Sequence, residues 1–172
     1  MNADGPARLR ALLGEPETWG WARPSLWQAA EAHLGLSLPS DYKTFLDLYG
    51  PGALDGVLHL ERPVHGTPEE AQDLWPPHPA QSPGTDPWPH HPEPGGLLAW
   101  GHDEHGNTYY FLPLEPDPDD WRIVVHTESA DWFETGGTFT DFLLRCHDGI
   151  DLPPGLPRGW PTCYDQRPPD TW

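Results

Sequence analysis

The clearest hydrophobic pattern in the chain is that of an amphipathic helix after Ser40. Its apolar positions follow the i, i+3, i+4, i+7 spacing of one helix face: Tyr42, Phe45, Leu46 and Tyr49. Ser40 is a favourable N-cap, and Asp41 places a carboxylate in the first turn, where the helix dipole stabilises it. Gly50 and Pro51 end the pattern. We therefore predict a helix that Ser40 caps and Gly50 terminates.

Three further helices are predicted, two before this one and one near the end of the chain. Residues 6–13 form a short segment with leucines on one side. Ser25 can cap a helix over 26–34, and Thr138 can cap a final helix that Gly149 ends. The apolar stripe of that final helix consists of Phe139, Phe142, Leu143 and Cys146.

Runs rich in aliphatic and aromatic residues predict strands in the middle of the chain. They lie at 56–60, 97–101, 108–112 and 121–127, with a further short run at 131–134. The stretch 102–107 is polar and contains a glycine, which indicates a turn. We expect the runs on either side of this turn to form an antiparallel hairpin.

Two segments lack any periodic pattern because they are rich in proline. The segment 63–95 contains ten prolines, and the tail 151–172 contains six. Each proline removes a backbone donor and restricts the residue before it, so neither a ladder nor a long helix can continue there. We predict a long surface loop at 63–95, with room for a short helix at 68–75. The tail is expected to be either disordered or draped over the domain.

The order of elements predicts the fold class. Helices, a strand, a long loop, antiparallel strands and a last helix indicate α+β rather than alternating β-α-β units. We expect a single domain over 1–150, in which a twisted antiparallel sheet packs with the N-terminal helices and the C-terminal helix. The 10 tryptophans imply a real core, and Trp100 and Trp121 are expected to belong to it.

The charge balance limits the possible partners. The chain has 27 acidic and 9 basic residues, a formal net charge of −18. Direct binding of nucleic acid or of anionic membranes is disfavoured, because both need lysine and arginine. A basic protein partner is favoured. The first twenty residues hold no stretch resembling a signal peptide, and no run reaches the roughly 18 apolar residues of a membrane span, so we expect a cytoplasmic protein.

Catalysis and metal binding receive little support from the sequence. Nucleophile elbows, P-loops, zinc-protease motifs and dinucleotide fingerprints are absent. Cys146 lies on a predicted buried helix face, which favours a packed thiol over a nucleophile. His102, Asp103, Glu104 and His105 are acceptable metal ligands, but a turn of this spacing gives no preset geometry. We predict no enzyme, no metal and no cofactor.

Three segments in order carry a family resemblance. The first runs from Leu34-Gly35 through Leu38-Pro39-Ser40-Asp41-Tyr42 to Tyr49-Gly50. The second is Leu97-Leu98-Ala99-Trp100-Gly101, followed by Asp103, Gly106-Asn107 and Tyr109. The third is Trp121-Arg122-Ile123-Val124-Val125, followed by Thr138-Phe139-Thr140-Asp141-Phe142-Leu143. The chain thus resembles the SUKH superfamily, which includes fungal cell-wall-assembly regulators and bacterial immunity proteins. Asn107 stands where the family often has Asp, and the loop, the His-rich turn and the tail are departures.

The resemblance implies a non-enzymatic binding protein. Bacterial members neutralise a cognate toxin, often a nuclease, by stoichiometric binding; the alternative is a regulatory scaffold without a toxin partner. The expected contact surface combines the turn, the acidic connection and two tryptophans: His102, Asp103, Glu104, His105, Glu115, Asp117, Asp119, Asp120, Trp88 and Trp132. The oligomeric state stays open.

Overall fold

The computed structural model describes residues 5–17, 24–60 and 86–167. Within these ranges it has four helices: α1 Gly5–Leu13, α2 Pro24–Leu34, α3 Ser40–Tyr49 and α4 Phe139–His147. The seven strands are β1 Gly52–Leu54, β2 Leu58–Leu60, β3 Leu98–Asp103, β4 Thr108–Leu112, β5 Arg122–His126, β6 Trp132–Thr135 and β7 Tyr164–Gln166. A 3₁₀ turn, Pro118–Asp120, connects β4 to β5.

The strands form one sheet in the order β6-β5-β4-β3-β2-β1-β7. Every pairing of neighbours is antiparallel. The predicted hairpin is confirmed, since β3 pairs with β4 across the turn. The fold class is α+β, as the sequence predicts.

Alternation along the strands separates an inner from an outer face of the sheet. Inner-face side chains form one continuous core with the helices. Tyr42 of α3 lies at its centre, where its ring makes edge contacts with Phe111 of β4 and Phe139 of α4 at centroid distances of 5.2 and 5.3 Å. Trp100 and Trp121 are buried, which confirms their prediction as core residues.

The outer face carries a second, smaller apolar cluster, formed by Leu97, Tyr110, Leu112 and Val124. The segment preceding β3 lies across this face. Trp88 packs against the cluster, and His90 forms a parallel bridge with Leu97. The His90 imidazole is within 3.0 Å of the Asp86 carboxylate, and both side chains are buried. The described end of the predicted surface loop therefore packs against the domain.

The helix ends differ in one respect from the sequence prediction. Ser40 is the first residue of α3 rather than its N-cap, and Pro39 occupies the cap position without a side-chain hydrogen bond. The Asp119 carboxylate satisfies this end of the helix instead, because it accepts hydrogen bonds from Ser40 N at 2.6 Å and Ser40 Oγ at 2.8 Å. Thr138 caps α4 in a reciprocal capping box with Asp141, as predicted.

The strand boundaries also differ from the prediction. β1 and β7 have only three residues each, too few to show alternation in the sequence. β2 begins at Leu58 rather than at Gly56. β3 continues through His102 and Asp103, which were predicted to belong to the turn. The short helix predicted at 68–75 lies outside the described residues.

Candidate partner-binding groove

The turn between β3 and β4 is organised by one buried carboxylate. Asp103 ends β3 and is only 5% exposed. Its Oδ1 accepts hydrogen bonds from His105 N at 2.9 Å and Asn107 N at 3.0 Å. Its Oδ2 accepts from Asn107 Nδ2 at 2.8 Å and the Tyr109 hydroxyl at 2.7 Å. A carboxylate with four donors is fully satisfied, so it fixes the turn from beneath.

The hydroxyl of Tyr109 is held in its neutral form at this position. Its pKa is raised above the ordinary tyrosine value, first by burial and then by the hydrogen bond to the Asp103 carboxylate. A phenol that stays protonated remains a donor at every physiological pH. The hydrogen bond that Tyr109 donates to Asp103 therefore keeps its donor throughout that range.

Three loops at this end of the sheet enclose a polar groove of about 500 Å³. They are the β3–β4 turn, the β5–β6 loop and a loop of the C-terminal tail. The lining residues are Glu104, His105, Gly106, Asn107, Thr127, Glu128, Ser129, Pro154 and Gly155. We call this the loop-end groove.

Exposed acidic side chains line the loop-end groove on two of its sides. Glu104 comes from the β3–β4 turn and Glu128 from the β5–β6 loop, and both are exposed. Gly106, in the same turn as Glu104, approaches the β5–β6 loop: its φ is +81°, and a Cβ there would lie 3.2 Å from the Cβ of Glu128. Carboxylates accept hydrogen bonds only, so they favour the ammonium or guanidinium groups of a partner.

The tail forms the third side of the loop-end groove. Asn107 Nδ2 donates to the carbonyl of Pro154 at 3.0 Å, which ties the tail to the turn. Gly155 has a φ of +92°, and a Cβ there would lie 2.8 Å from Cγ of His105. Any side chain at this position would displace the ring, so glycine is required for both conformation and space.

The predicted residues of the turn separate into three different environments. Glu104 and His105 line the loop-end groove. Asp103 is buried below it and acts on the surface only through the turn that it holds. His102 points to the outer face, where its exposed ring stacks on His59 at a centroid distance of 5.3 Å.

The acidic connection lies at the other end of the sheet. It joins β4 to β5, whereas the turn joins β3 to β4, so the five residues of β4 separate the two. At about 3.4 Å per residue, they lie roughly 17 Å apart. The Asp119 carboxylate accepts a hydrogen bond from the first residue of α3, and the Asp117 carboxylate accepts one from Asp119 N at 3.0 Å. Glu115 and Asp120 are exposed there. The structure therefore does not join turn and connection into one patch.

The two predicted tryptophans meet on the outer face of the sheet. Trp88 and Trp132 are half-buried and make an edge contact at a centroid distance of 5.9 Å. Trp132 also packs against His126 at 4.4 Å. Burial lowers the pKa of His126, so its neutral form is favoured beside the indole. The tryptophans lie beside the outer cluster rather than in the loop-end groove.

Sequence reasoning missed five groove residues outside the turn: Thr127, Glu128, Ser129, Pro154 and Gly155. The β5–β6 loop had a usable signal, since consecutive antiparallel strands bring alternate loops to the same end of a sheet. The tail had no comparable signal, because its position depends on contacts with residues far away in the chain.

A second groove lies between α1 and α3 and has a volume of about 540 Å³. Its lining is largely apolar and includes Leu9, Phe45 and the exposed Leu48. No residue of the predicted contact surface lines it.

Among the described residues, no group of three or more His, Cys, Asp or Glu side chains is arranged to hold a metal ion. Each helix in those ranges is too short or too polar to cross a bilayer.

Comparison with known protein families shows to which family this chain belongs. Residues 22–145 match the model of the SMI1/KNR4 family, SUKH-1. The chain belongs to this family. Neither a curated protein nor a solved structure gives a significant match. SUKH-1 membership supports an interaction protein of the toxin-immunity or regulatory kind, and members of the family are generally non-enzymatic. The match ends at residue 145, so the third wall of the loop-end groove lies beyond it.

Proposed function

We propose that this SUKH-1 protein is an immunity protein that neutralises a cognate toxin, of which a nuclease is the favoured type, by stoichiometric binding at the loop-end groove. The observation that carries the proposal is a pair of exposed carboxylates that line the groove: Glu104 on the β3–β4 turn, which the buried Asp103 fixes, and Glu128 on the neighbouring β5–β6 loop. Family membership supports the class of function, and the groove supports the place of contact.

Electrostatics favours a basic partner. The chain carries a net charge of −18, and a nuclease needs lysine and arginine to grip phosphates. A basic toxin surface is therefore attracted over a long range and oriented as it approaches. A protein bound over that surface occupies the place of the nucleic acid, so no chemistry on the inhibitor is needed. We expect this to take place in the cytoplasm.

The rigidity of the turn favours tight binding. Asp103 satisfies two backbone donors of the turn, so the loop is ordered before a partner arrives. A surface ordered in advance loses less conformational entropy on association. Glu104 is then presented from an ordered turn, and Glu128 faces the same groove from the β5–β6 loop, so both carboxylates can bind a lysine or arginine of the toxin.

Co-expression with the product of the adjacent gene, which the proposal requires to contain a toxin domain, tests the proposal. We expect growth rescue and a 1:1 complex in size-exclusion chromatography with light scattering. The double variant Glu104→Lys/Glu128→Lys should bind on the order of 100-fold more weakly, because like charges then face each other. The control Glu93→Lys/Asp120→Lys changes the net charge equally at exposed positions outside the groove, and should lose less than about fivefold.

Two outcomes would contradict the proposal. The first is absence of both complex and rescue with that toxin domain. The second is a stable complex with a partner that has no toxic activity, which would favour the regulatory alternative. Equal weakening by the two charge-reversed variants would contradict the assignment to the groove, because net charge alone would then explain binding.

A further inference from the structure

We infer that the C-terminal segment 151–167, beyond the family match, determines partner specificity by forming a fixed wall of the loop-end groove. The inference rests on the proposed function, because it concerns which partner the same groove accepts. It requires two things of the segment: that it be rigidly attached, and that it shape the groove. The structure provides evidence for each.

One clamp attaches the segment to the β1–β2 turn. The Asp55 carboxylate accepts hydrogen bonds from Thr162 N at 3.0 Å, Thr162 Oγ1 at 2.9 Å and Cys163 N at 2.7 Å. Asp55 itself has a φ of +50°, a conformation that aspartate tolerates better than most residues. Its backbone N also donates to the carbonyl of Cys163 at 3.2 Å. The turn and the tail are thus bonded through both side chain and backbone.

A second attachment places the segment in the sheet and the core. β7 pairs with β1, and this close pairing requires Gly52, where a Cβ would lie 2.3 Å from the carbonyl oxygen of Asp165. Tyr164 is buried beside Phe45 at a centroid distance of 5.2 Å. Trp160 is 1% exposed and belongs to the main core. Burial of the apolar surface of Trp160 and Tyr164 therefore stabilises the segment in this position.

Contacts with α4 hold the part of the segment nearest the groove. Arg145 Nε donates to the Asp151 carboxylate, and Cys146 Sγ donates to the Asp151 carbonyl at 3.4 Å. Farther along, His147 Nδ1 lies 3.0 Å from the Pro161 carbonyl. The stretch 151–161, which contains the groove residues Pro154 and Gly155, is therefore held on both sides by one helix.

The wall shapes the groove through two contacts with the turn. Asn107 binds the Pro154 carbonyl, and Gly155 lies against the ring of His105. Because β1, the core and α4 hold the segment in place, these two contacts set the distance between the β3–β4 turn and the tail. A partner side chain that enters the groove must fit this distance, so the wall discriminates by shape while Glu104 and Glu128 attract by charge.

Two alanine substitutions distinguish an effect on the shape of the groove from the effect of backbone strain in the tail. Gly155→Ala and Gly159→Ala both place alanine at a positive φ, +92° and +81° respectively. A Cβ at 155 would collide with His105, whereas a Cβ at 159 would meet nothing within 4 Å. We expect Gly155→Ala to weaken binding of the adjacent-gene toxin domain by about tenfold or more relative to Gly159→Ala, measured by isothermal titration.

Hydrogen–deuterium exchange of the wild-type complex provides a second measurement that needs no variant. We expect the toxin domain to protect the amides of 152–160. Equal affinities of the two alanine variants, or unchanged exchange at 152–160, would overturn the inference while leaving the proposed function intact. Failure of the wild type to bind the toxin domain would overturn both.

Discussion

A single residue, Asp103, carries much of the local order at the candidate site. It is charged and buried, a costly combination unless every lone pair is satisfied. Two of its donors are backbone groups of the turn, and two are the side chains of Asn107 and Tyr109. Asn107 also bonds the tail, so the network extends from β3 to the groove wall. The turn owes its shape to this carboxylate rather than to its own short sequence.

Replacing Asp103 tests this network. In Asp103→Asn, an amide NH₂ replaces one carboxylate oxygen and faces hydrogen-bond donors that lose their acceptor. We therefore expect the free energy of unfolding to fall by about 2–4 kcal/mol. Tyr109→Phe removes only one donor and should cost about 1 kcal/mol. Urea denaturation monitored by tryptophan fluorescence measures both.

Equal stabilities of Asp103→Asn and wild type would contradict the role of this carboxylate. A folded Asp103→Asn should also show weaker toxin binding, because the turn would lose its fixed position. Tyr109→Phe serves as the comparison, since it leaves the two backbone donors of the turn satisfied.

At the scale of elements, several acidic residues act inside the fold as acceptors for backbone amides. Asp119 satisfies the start of α3, and Asp41 accepts from Thr140 N at 2.7 Å near the start of α4. Asp55 holds the tail. Helix N-termini expose unpaired donors and the positive end of the dipole, which explains why carboxylates gather there. The acidity of the chain is therefore partly structural.

The cap provided by Asp119 gives a prediction with a matched control. Asp119→Ala should lower the unfolding free energy by about 1 kcal/mol, as expected for loss of a helix cap. Asp120→Ala removes the same charge from an exposed neighbour and should stay within about 0.5 kcal/mol of wild type. Thermal denaturation followed by circular dichroism compares them.

Binding by the same two variants tests the location of the site. Both lie at the end of the sheet opposite the loop-end groove, so each should keep toxin affinity within about threefold of wild type. A large loss of affinity in Asp120→Ala would place the contact at the acidic connection instead.

At the scale of the whole molecule, the faces of the sheet serve packing, and one of its ends carries the proposed binding site. Its inner face packs on four helices, and the segment before β3 covers part of its outer face. The loop-end groove lies at one end, where backbone changes direction and side chains are free to face a partner. The net charge of −18 then acts on this partner from a distance.

Long-range attraction predicts a specific salt dependence of binding. The association rate with the toxin domain should fall by about tenfold between roughly 0.05 and 0.5 M salt, because screening shortens the reach of the charge. The dissociation rate should change much less, since it reflects short-range contacts. Stopped-flow fluorescence and surface plasmon resonance measure the two rates. A salt-independent association rate would contradict electrostatic steering.

The predictable part of the fold consists of elements with local signals. α3 and α4 were predicted within a residue of their ends, since their stripes and glycines are local, and β4 was predicted with its observed bounds. β1 and β7 were missed, because three-residue strands are defined by their partners. The cap of α3 was misassigned because its acceptor, Asp119, lies 79 residues away.

The sequence by itself determined the α+β class, the hairpin and the family, because capping, periodicity and turn chemistry act between near neighbours. The chain order also places the turn and the acidic connection at opposite ends of β4, but only the tertiary structure decided that the tail returns to this end of the sheet and completes the groove. The physical reason is that the groove is formed by three loops that are far apart in the sequence. Its shape depends on which backbones the sheet and the core bring together, and those contacts span most of the chain.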